Sequence, residues 1–387
     1  MKTTKPDKSK FSGNKLKEKI MKKHKYTKDF KFSHILGITL GILILFFLYP
    51  RMARTNDLVS YDSIKLDGDV KISFTGDVSP SRYILESFND NFKPKDLYSD
   101  VKEIWEDSDI TLINLEAVPL RGDPKEYTPI AGNVILHTDE ENLRAIKESG
   151  IDLINLANNH FGDFGRLAMV DAMFLLEENN MDYIGAGFDE EDSQVGNVRD
   201  IDGLKIGFQN ITKVLPISGP LTAGTNTPGA FSTSHINYLA VLEDNFKQAD
   251  YNIVMIHWGT EYTIGPNKDV KELGRELIDR GADLVIGSHP HVLHPIEKYN
   301  GGTILYSMGN AVFDQVVSRT NRSAIGSLYI GEDGSQTLEF VPIYLLEGRP
   351  AKTENTGYVK EIFRELTKYL EEDEFYIENN RLYIILD

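Results

Sequence analysis

The chain has 387 residues, of which 41% are hydrophobic, so it is long enough to bury a substantial core in one large domain or two ordinary ones. This composition excludes a globally disordered chain. No cysteine is present, which excludes disulfides, cysteine-ligated zinc, iron–sulfur clusters and thiol catalysis. Any demanding chemistry must therefore use histidines, carboxylates, hydroxyls, or a metal held by nitrogen and oxygen ligands.

The formal net charge of −17 averages two very different parts of the chain. Residues 1–31 carry 12 Lys against 3 acidic residues, a local charge of +9. The remainder carries 30 Lys and Arg against 56 Asp and Glu, a charge of −26. Because nucleic-acid binding needs basic surfaces that neutralise phosphates, the acidic bulk argues against a nucleic-acid partner.

An uncharged segment follows the basic end. Phe32–Tyr49 runs 18 residues without a formal charge, and at about 1.5 Å per helical residue it spans about 27 Å, enough for a bilayer core. A cleaved signal peptide and a buried soluble helix are the alternatives, but no clear small-residue cleavage site and no polar face are present. We predict an uncleaved anchor at 32–50. The positive-inside rule then places the tail, residues 1–31, in the cytoplasm and the C-terminal domain outside the cell.

Beyond a predicted linker at 51–68, short β-branched runs alternate with amphipathic segments, a pattern typical of an α/β fold. The predicted strands are Val70–Phe74, Ile110–Asn114, Ile151–Leu156, Tyr183–Ile184, Lys205–Gln209, Asn252–Ile256, Leu284–Ile286 and Thr303–Ser307. The predicted helices between them are Glu140–Ser149, Leu167–Asn179, His235–Gln248 and Val270–Arg280. We expect one mixed sheet, or two sheets packed together with helices outside.

Near the C-terminus the pattern changes. We predict antiparallel strands at Ala324–Ile330 and Thr337–Leu345, a helix at Tyr358–Glu371, and a hairpin at Phe375–Leu386 around Asn379 and Asn380. The proposed division places one domain at 69–348 and a helix-and-hairpin extension at 349–387.

Polar residues of the types that bind metals follow five predicted strands, where an α/β scaffold exposes its loops. They occur in Thr75-Gly76-Asp77, Asn114-Leu115-Glu116, Ala157-Asn158-Asn159-His160, His257-Trp258-Gly259-Thr260-Glu261-Tyr262 and Gly287-Ser288-His289-Pro290-His291. We predict that His289 and His291 lie in an extended segment with both rings on one side, suited to one or two metals. Such a mixed donor set suits Mn²⁺, Zn²⁺ or Fe²⁺ rather than Mg²⁺ or Ca²⁺.

These motifs, with Gly76–Arg82 and Tyr306–Asp314, resemble in order the signature series of the CapA/PgsA family, the poly-γ-glutamate capsule biosynthesis group. The resemblance spans residues 69 to 345. It implies a calcineurin-like metallophosphoesterase fold, a two-sheet sandwich flanked by helices (αββα). It also implies a role in making or exporting the capsule polymer, beside other subunits of a membrane synthase complex.

The resemblance also assigns roles to residues. Asp77 and His291 would bind a first metal, Asn159, His257 and His289 a second, and Glu116 would bridge the two. His160 would be the general acid. Arg82, Asn158 and Glu261 would be substrate contacts or supports of the ligands, and local alternatives exist: Arg82 can pair with a nearby carboxylate, and Glu261 can orient a ligand histidine. We expect Tyr306–Asp314 to support the site architecturally.

Two positions depart from the superfamily pattern. Ser79 stands where a histidine is usual, two residues after Asp77, and Glu116 stands where an aspartate is usual. The first metal site is then one imidazole short. Two functions follow: a non-hydrolytic subunit of the capsule synthase, which we favour, and an active metal-dependent hydrolase acting on a phosphoester or on the polyglutamate chain.

Overall fold

The computed structural model describes residues 70–386, apart from 90, 131, 133, 217–220 and 316. The predicted basic tail at 1–31, the anchor at 32–50 and the linker at 51–68 lie outside these residues. Within the described part of the chain, no helix combines the length and the apolar character needed to cross a bilayer.

The described residues form twenty strands and eight α-helices, numbered here in chain order. The strands are β1 (Val70–Val78), β2 (Ile110–Leu115), β3 (Val118–Pro119), β4 (His137–Thr138), β5 (Leu153–Asn155), β6 (Asp182–Ile184), β7 (Ala186–Gly187), β8 (Asn197–Ile201), β9 (Leu204–Thr212), β10 (Gly229–Ala230), β11 (Tyr251–His257), β12 (Leu284–Ser288), β13 (Ile296–Tyr299), β14 (Gly302–Leu305), β15 (Asn310–Val312), β16 (Arg322–Ile330), β17 (Gln336–Leu346), β18 (Arg349–Lys352), β19 (Phe375–Glu378) and β20 (Arg381–Ile385). The helices are α1 (Tyr83–Ser87), α2 (Lys102–Glu106), α3 (Glu140–Glu148), α4 (Gly165–Glu178), α5 (Glu190–Ser193), α6 (Tyr238–Phe246), α7 (Lys268–Asp279) and α8 (Thr356–Leu366).

Two large sheets organise the fold. The larger has the order β19-β20-β17-β16-β1-β2-β5-β6, with β15 beside β1 and β18 beside β17. Its β1, β2, β5 and β6 run parallel, whereas β16, β17, β20 and β19 pair antiparallel. The smaller sheet has the order β13-β14-β12-β11-β9-β8, and its four central strands are parallel. The prediction of an α/β fold with mixed sheets is therefore confirmed.

The core separates into layers. Apolar side chains of both sheets, such as Ile72 and Phe74 from the larger and Phe208 and Ile253 from the smaller, pack in one shared cluster. Helices α3 and α4 cover the other face of the larger sheet, and α6 and α7 cover the other face of the smaller one. The layer order is helix, sheet, sheet, helix.

Local sequence accounts for several elements. The side chain of Asn267 accepts a hydrogen bond from the Val270 N–H and so caps α7, whose buried positions Val270, Leu273 and Leu277 follow helical spacing. The hairpin of β19 and β20 turns at Asn379 and Asn380, where φ is 48° and 58°. Asparagine tolerates this left-handed conformation. The two strands on either side of the turn pair antiparallel, so the predicted hairpin is confirmed.

Candidate metal centre

Six predicted ligand side chains converge where the two sheets meet. Each lies at or just after the carboxyl end of a parallel strand, on β1, β2 and β5 of the larger sheet and on β11 and β12 of the smaller. The carboxyl ends of parallel strands share one edge of a sheet, and face-to-face packing brings the two edges together. The six side chains belong to Asp77, Glu116, Asn159, His257, His289 and His291.

The side chains form two overlapping groups whose potential ligand atoms lie within 4.8 Å of one another. One consists of Asp77, Glu116 and His291, and the other of Glu116, His257 and His289. Asn159 joins the second group, because its Oδ1 lies 2.7 Å from His257 Nε2. Glu116 is common to both groups, as the bridging role requires.

Glu116 is the most unusual member of the cluster. Its side chain is fully buried, and among the described residues no nitrogen or hydroxyl group donates a hydrogen bond to either carboxylate oxygen. Its Oε1 lies 3.7 Å from His257 Nε2 and 3.8 Å from the Nε2 atoms of His291 and His160, too far for hydrogen bonds. Burial, followed by the nearby carboxylates of Asp77 and Glu261, raises the pKa of Glu116 well above its usual value. A bound cation would remove this penalty.

The neighbouring imidazoles have the opposite shift. Burial, reinforced by the other imidazoles, lowers the pKa of His257 well below its ordinary value and lowers that of His289 to about 3. Both rings are therefore neutral at pH 7, the form that binds a metal. His289 Nδ1 is buried and has no hydrogen-bond partner within the described ranges. Together with the unpartnered Glu116, this donor set fits a divalent cation.

Polar neighbours orient two of the rings. His291 Nδ1 lies 2.9 Å from Asn310 Oδ1 and 3.2 Å from Asp77 Oδ2, so either oxygen can accept its proton, and Nε2 lies 3.8 Å from Glu116 Oε1. His257 Nδ1 lies 2.9 Å from Ser288 Oγ, on the side of the ring opposite Asn159. Second contacts of this kind fix the orientation and tautomer of metal-binding histidines.

The backbone at the two histidines corrects one prediction. His289 and His291 have φ values of 91° and 59°, so the segment bends and is not extended. Both rings still reach the cluster. Non-glycine residues in this region are strained by about 1–3 kcal/mol each, and such strain concentrates at functional sites.

Two glycines bring Asp77 close to the segment that carries Asn310. A Cβ atom on Gly76 would lie 1.9 Å from the Gly309 carbonyl oxygen. The N–H of Asp77 donates to that oxygen at 2.9 Å. Only glycine permits this approach at position 76, which explains the Gly-Asp pair in structural terms.

Asn114 and Asn158 connect the loops beneath the cluster. Asn114 Nδ2 donates to Asp77 Oδ1 at 2.8 Å. Asn158 Nδ2 donates to Asn114 Oδ1 at 3.2 Å, and Asn158 Oδ1 accepts from the His160 N–H at 3.1 Å. Asn158 is fully buried, so it occupies an internal, supporting position.

His160 lies at the mouth of the cluster, with 12% of its side chain exposed. Its Nδ1 is 2.8 Å from Asp163 Oδ2, which also accepts a hydrogen bond from the Leu136 N–H. Asp163 thus orients the ring and leaves Nε2 facing the cluster. Ser79, the position lacking the usual imidazole, is buried with its Oγ 2.8 Å from Ser81 Oγ.

The two remaining predicted residues lie nearer the surface. Arg82 forms an ion pair with Asp314, the local pairing given above as its alternative. Glu261 is exposed, and its carboxylate lies within 4.8 Å of ring nitrogens of His289 and His291.

Sequence reasoning missed three supporting residues, Asn114, Asp163 and Ser288. Asn114 and Ser288 lie inside the motifs quoted above, and their position near a candidate ligand at a strand end was the available signal. Asp163 lies three residues after the Asn-Asn-His motif, where no signal in the sequence singled it out. Asn310 lies in Tyr306–Asp314, the segment expected to support the site, although its contact with His291 was not predicted.

The fold and the cluster define an α/β protein with a buried centre of carboxylate, amide and imidazole donors at the junction of two sheets. Residues 71–315 match the family described as bacterial capsule synthesis protein PGA_cap, and the chain belongs to this family. It is similar to the PGA biosynthesis protein CapA of Bacillus subtilis (strain 168), with 32% identity over 91% of each chain. It is also similar to the capsule biosynthesis protein CapA of Bacillus anthracis, with 29% identity over 91% of this chain and 85% of that protein.

Among solved structures, the sulfate thiohydrolase SoxB of Thermus thermophilus aligns with 82% of this chain and 63% of its own, at 12% identity and a TM-score of 0.40.

Proposed function

We propose that this protein is a membrane-anchored component of the machinery that makes or exports a poly-γ-glutamate capsule. Membership of the capsule synthesis family and similarity to two Bacillus CapA proteins support this role. The predicted anchor at 32–50 would hold a metallophosphoesterase-like domain, residues 69–348, outside the cell membrane. Its proposed partners are the lipid bilayer, the polymer and the other subunits of the synthase.

One observation carries the chemistry of the proposal: the Glu116 carboxylate is buried among three imidazole nitrogens, and no described residue donates a hydrogen bond to it. A divalent cation such as Mn²⁺, Zn²⁺ or Fe²⁺, when bound, supplies positive charge and Lewis acidity. The group with His257 and His289 has two imidazoles, and the group with His291 has one. We propose one firmly held ion in the first of these groups and a weaker second position in the other.

The charge of the protein suggests what this centre does. Outside the basic tail the chain carries −26, which repels a polyanion from most of its surface. A cation held in the cluster provides a local positive point where polymer carboxylates can bind. Binding and guiding the polymer, without hydrolysis, is therefore the favoured role.

A second candidate function rests on His160. Its ring is oriented by Asp163 at 2.8 Å, and its Nε2 faces the cluster at the protein surface. An imidazole so placed can donate a proton to a leaving group. This arrangement favours a metal-dependent hydrolase acting on a phosphoester or on an amide of the polyglutamate chain.

Two variants of the full chain separate these functions in a capsule-forming host whose own homologue has been deleted. We expect H289A/H291A to lose bound metal and most of the capsule polymer, because it removes two donors of the cluster. We expect H160A to retain both, because His160 is not among the proposed ligands. H137A, which removes a half-buried imidazole outside the cluster, is the control.

The alternatives give different results. Loss of polymer in H160A, with metal content and circular dichroism unchanged, would contradict a purely non-catalytic role and favour the hydrolase. Normal polymer in H289A/H291A would show that the role of this protein does not depend on the metal centre.

A further inference from the structure

A cavity of about 280 Å³ lies beside the candidate metal centre. Two of its wall segments come directly after residues of the centre: Thr263 and Ile264 follow Glu261 and Tyr262, whereas Val292 and Leu293 follow His291. The Tyr262 N–H donates to the Pro290 carbonyl at 2.9 Å, and His294 Nε2 lies 3.0 Å from the Thr263 carbonyl. These contacts hold the two segments together, so the cavity and the centre share a wall.

The charges around the cavity do not cancel. Its charged lining residues are Arg319, Arg322, Arg364, Glu361 and Glu365. Glu361 pairs with Arg322, and Glu365 Oε1 lies 3.5 Å from Lys368 Nζ. Among the described residues, the guanidinium groups of Arg319 and Arg364 have no carboxylate or carbonyl partner, and both residues are exposed. Two arginine side chains without a carboxylate partner among the described residues therefore line one cavity, although the chain outside its basic tail is strongly acidic.

The residues that line the cavity indicate the chemical class of a ligand that would fit it. Buried side chains of Val292, Leu293 and Ile362 give it an apolar floor. Guanidinium groups bind carboxylates through paired, charge-assisted hydrogen bonds. A γ-linked glutamate unit presents one free carboxylate and two methylene groups, which match the charged rim and the apolar floor respectively.

We infer that this cavity is a carboxylate-binding subsite for an anionic chain whose neighbouring units reach the metal centre. The inference rests on the proposed function, because it takes the polymer as the ligand. It adds a site that lies outside the cluster and is built from Arg319 and Arg364. A chain with regularly spaced carboxylates can occupy the subsite and the centre together, whereas a free amino acid can occupy only one at a time.

The test measures binding of a short fluorescein-labelled oligomer of γ-linked glutamate to the metal-loaded full chain at fixed ionic strength. We expect R319Q/R364Q to weaken binding about tenfold. The control K125Q/K205Q removes two exposed lysines distant from the cavity lining, and its affinity should stay within about twofold of wild type. Metal content and melting temperature should be unchanged in both variants.

Several results would overturn the subsite. These are unchanged affinity in R319Q/R364Q, an equal loss in the lysine control, or free glutamate displacing the probe as effectively as unlabelled oligomer. If H289A/H291A loses binding while R319Q/R364Q does not, the subsite fails and the proposed function stands. If the wild-type protein does not bind the oligomer at all, polymer binding itself fails.

Discussion

Two buried glutamates, one on a strand of the larger sheet and one directly after a strand of it, differ in the partners of their carboxylates. Glu339 lies on β17, in the antiparallel half, where Arg381 pairs with it and the hydroxyl groups of Tyr329 and Tyr383 donate to it at 2.9 and 3.1 Å. Glu116 follows β2, in the parallel half, and receives no hydrogen bond from the part of the chain that the structure describes. The two side chains are equally inaccessible to water. Burial alone therefore does not mark a functional carboxylate; burial without a partner does.

The topology of the sheet produces this difference. On antiparallel strands, Glu339 lies opposite Tyr383 in the β17 and β20 pairing, so partners come from directly adjacent positions. At the carboxyl ends of parallel strands, the groups near Glu116 come from loops of both sheets: His160 follows β5 of the larger sheet, and His257 and His291 belong to the smaller. These imidazole nitrogens lie 3.7 to 3.8 Å from Glu116 Oε1, which leaves room for a cation between the side chains.

The largest expected effect concerns the structural glutamate. Glu339→Ala removes the buried ion pair with Arg381 and the acceptor of two buried tyrosine hydroxyls, so the free energy of unfolding should fall by about 3–5 kcal/mol. Urea denaturation measures this loss. The folded fraction should bind as much metal as the wild type. A variant as stable as the wild type would show that Glu339 does not stabilise the fold. A folded variant that binds no metal would show that Glu339 also acts on the metal centre.

A smaller effect is expected from a residue that orients a ligand. Asn310→Ala removes the nearer acceptor of the His291 Nδ1–H and leaves Asp77 Oδ2, 3.2 Å away, as the second, so metal binding should weaken by about tenfold. Competition with a chromophoric chelator measures the affinity. Asn245→Ala is a matched control, because the Asn245 amide contacts Gln194 and Gln209 outside the cluster. An Asn310→Ala variant that binds metal as tightly as this control would show that Asn310 does not support the centre.

An effect that develops only as the pH falls is expected from His294, a buried imidazole outside the proposed ligand set. Burial, with a further contribution from Lys368, lowers its pKa to about 4. Below pH 6.5 the unfolded chain takes up a proton that the native chain does not, so stability decreases as pH falls from 6.5 to 4. This adds up to about 1.4 kcal/mol per pH unit to the slope.

His294→Gln should remove this contribution. Unfolding free energies measured across the pH range with chelator present should therefore fall more steeply for the wild type than for the variant. Parallel curves would show that His294 does not titrate as its burial implies.

The sequence predicted the strands and helices well, because they depend on local pattern. β-branched runs indicated the strands, and the carboxylates and imidazoles directly after them are the side chains that cluster in the structure; their role as ligands stays a prediction. It could not predict which loops meet. Arg82 pairs with a carboxylate 232 positions away, and Asn310 reaches His291 from 19 positions away. Such contacts depend on how the sheets pack, which no local pattern encodes.

The bends at His289 and His291 were mispredicted for a related reason. A short His-Pro-His segment after a strand favours continued extension on local grounds. The observed positive φ values instead accompany contacts with other segments, such as the hydrogen bond from the His289 N–H to Asp77 Oδ2 at 3.1 Å. Tertiary contacts here outweigh local preference.

The most direct test of the metal centre compares thermal unfolding of the wild type and Glu116→Gln, each with and without a strong chelator. We expect the chelator to lower the melting temperature of the wild type, because a ligand that binds only the native state stabilises it. The variant should be insensitive to the chelator and, in its presence, at least as stable as the wild type, because it lacks the unpartnered carboxylate. A wild-type protein whose melting temperature does not respond to the chelator, with Glu116→Gln less stable than it under both conditions, would contradict a metal centre at Glu116.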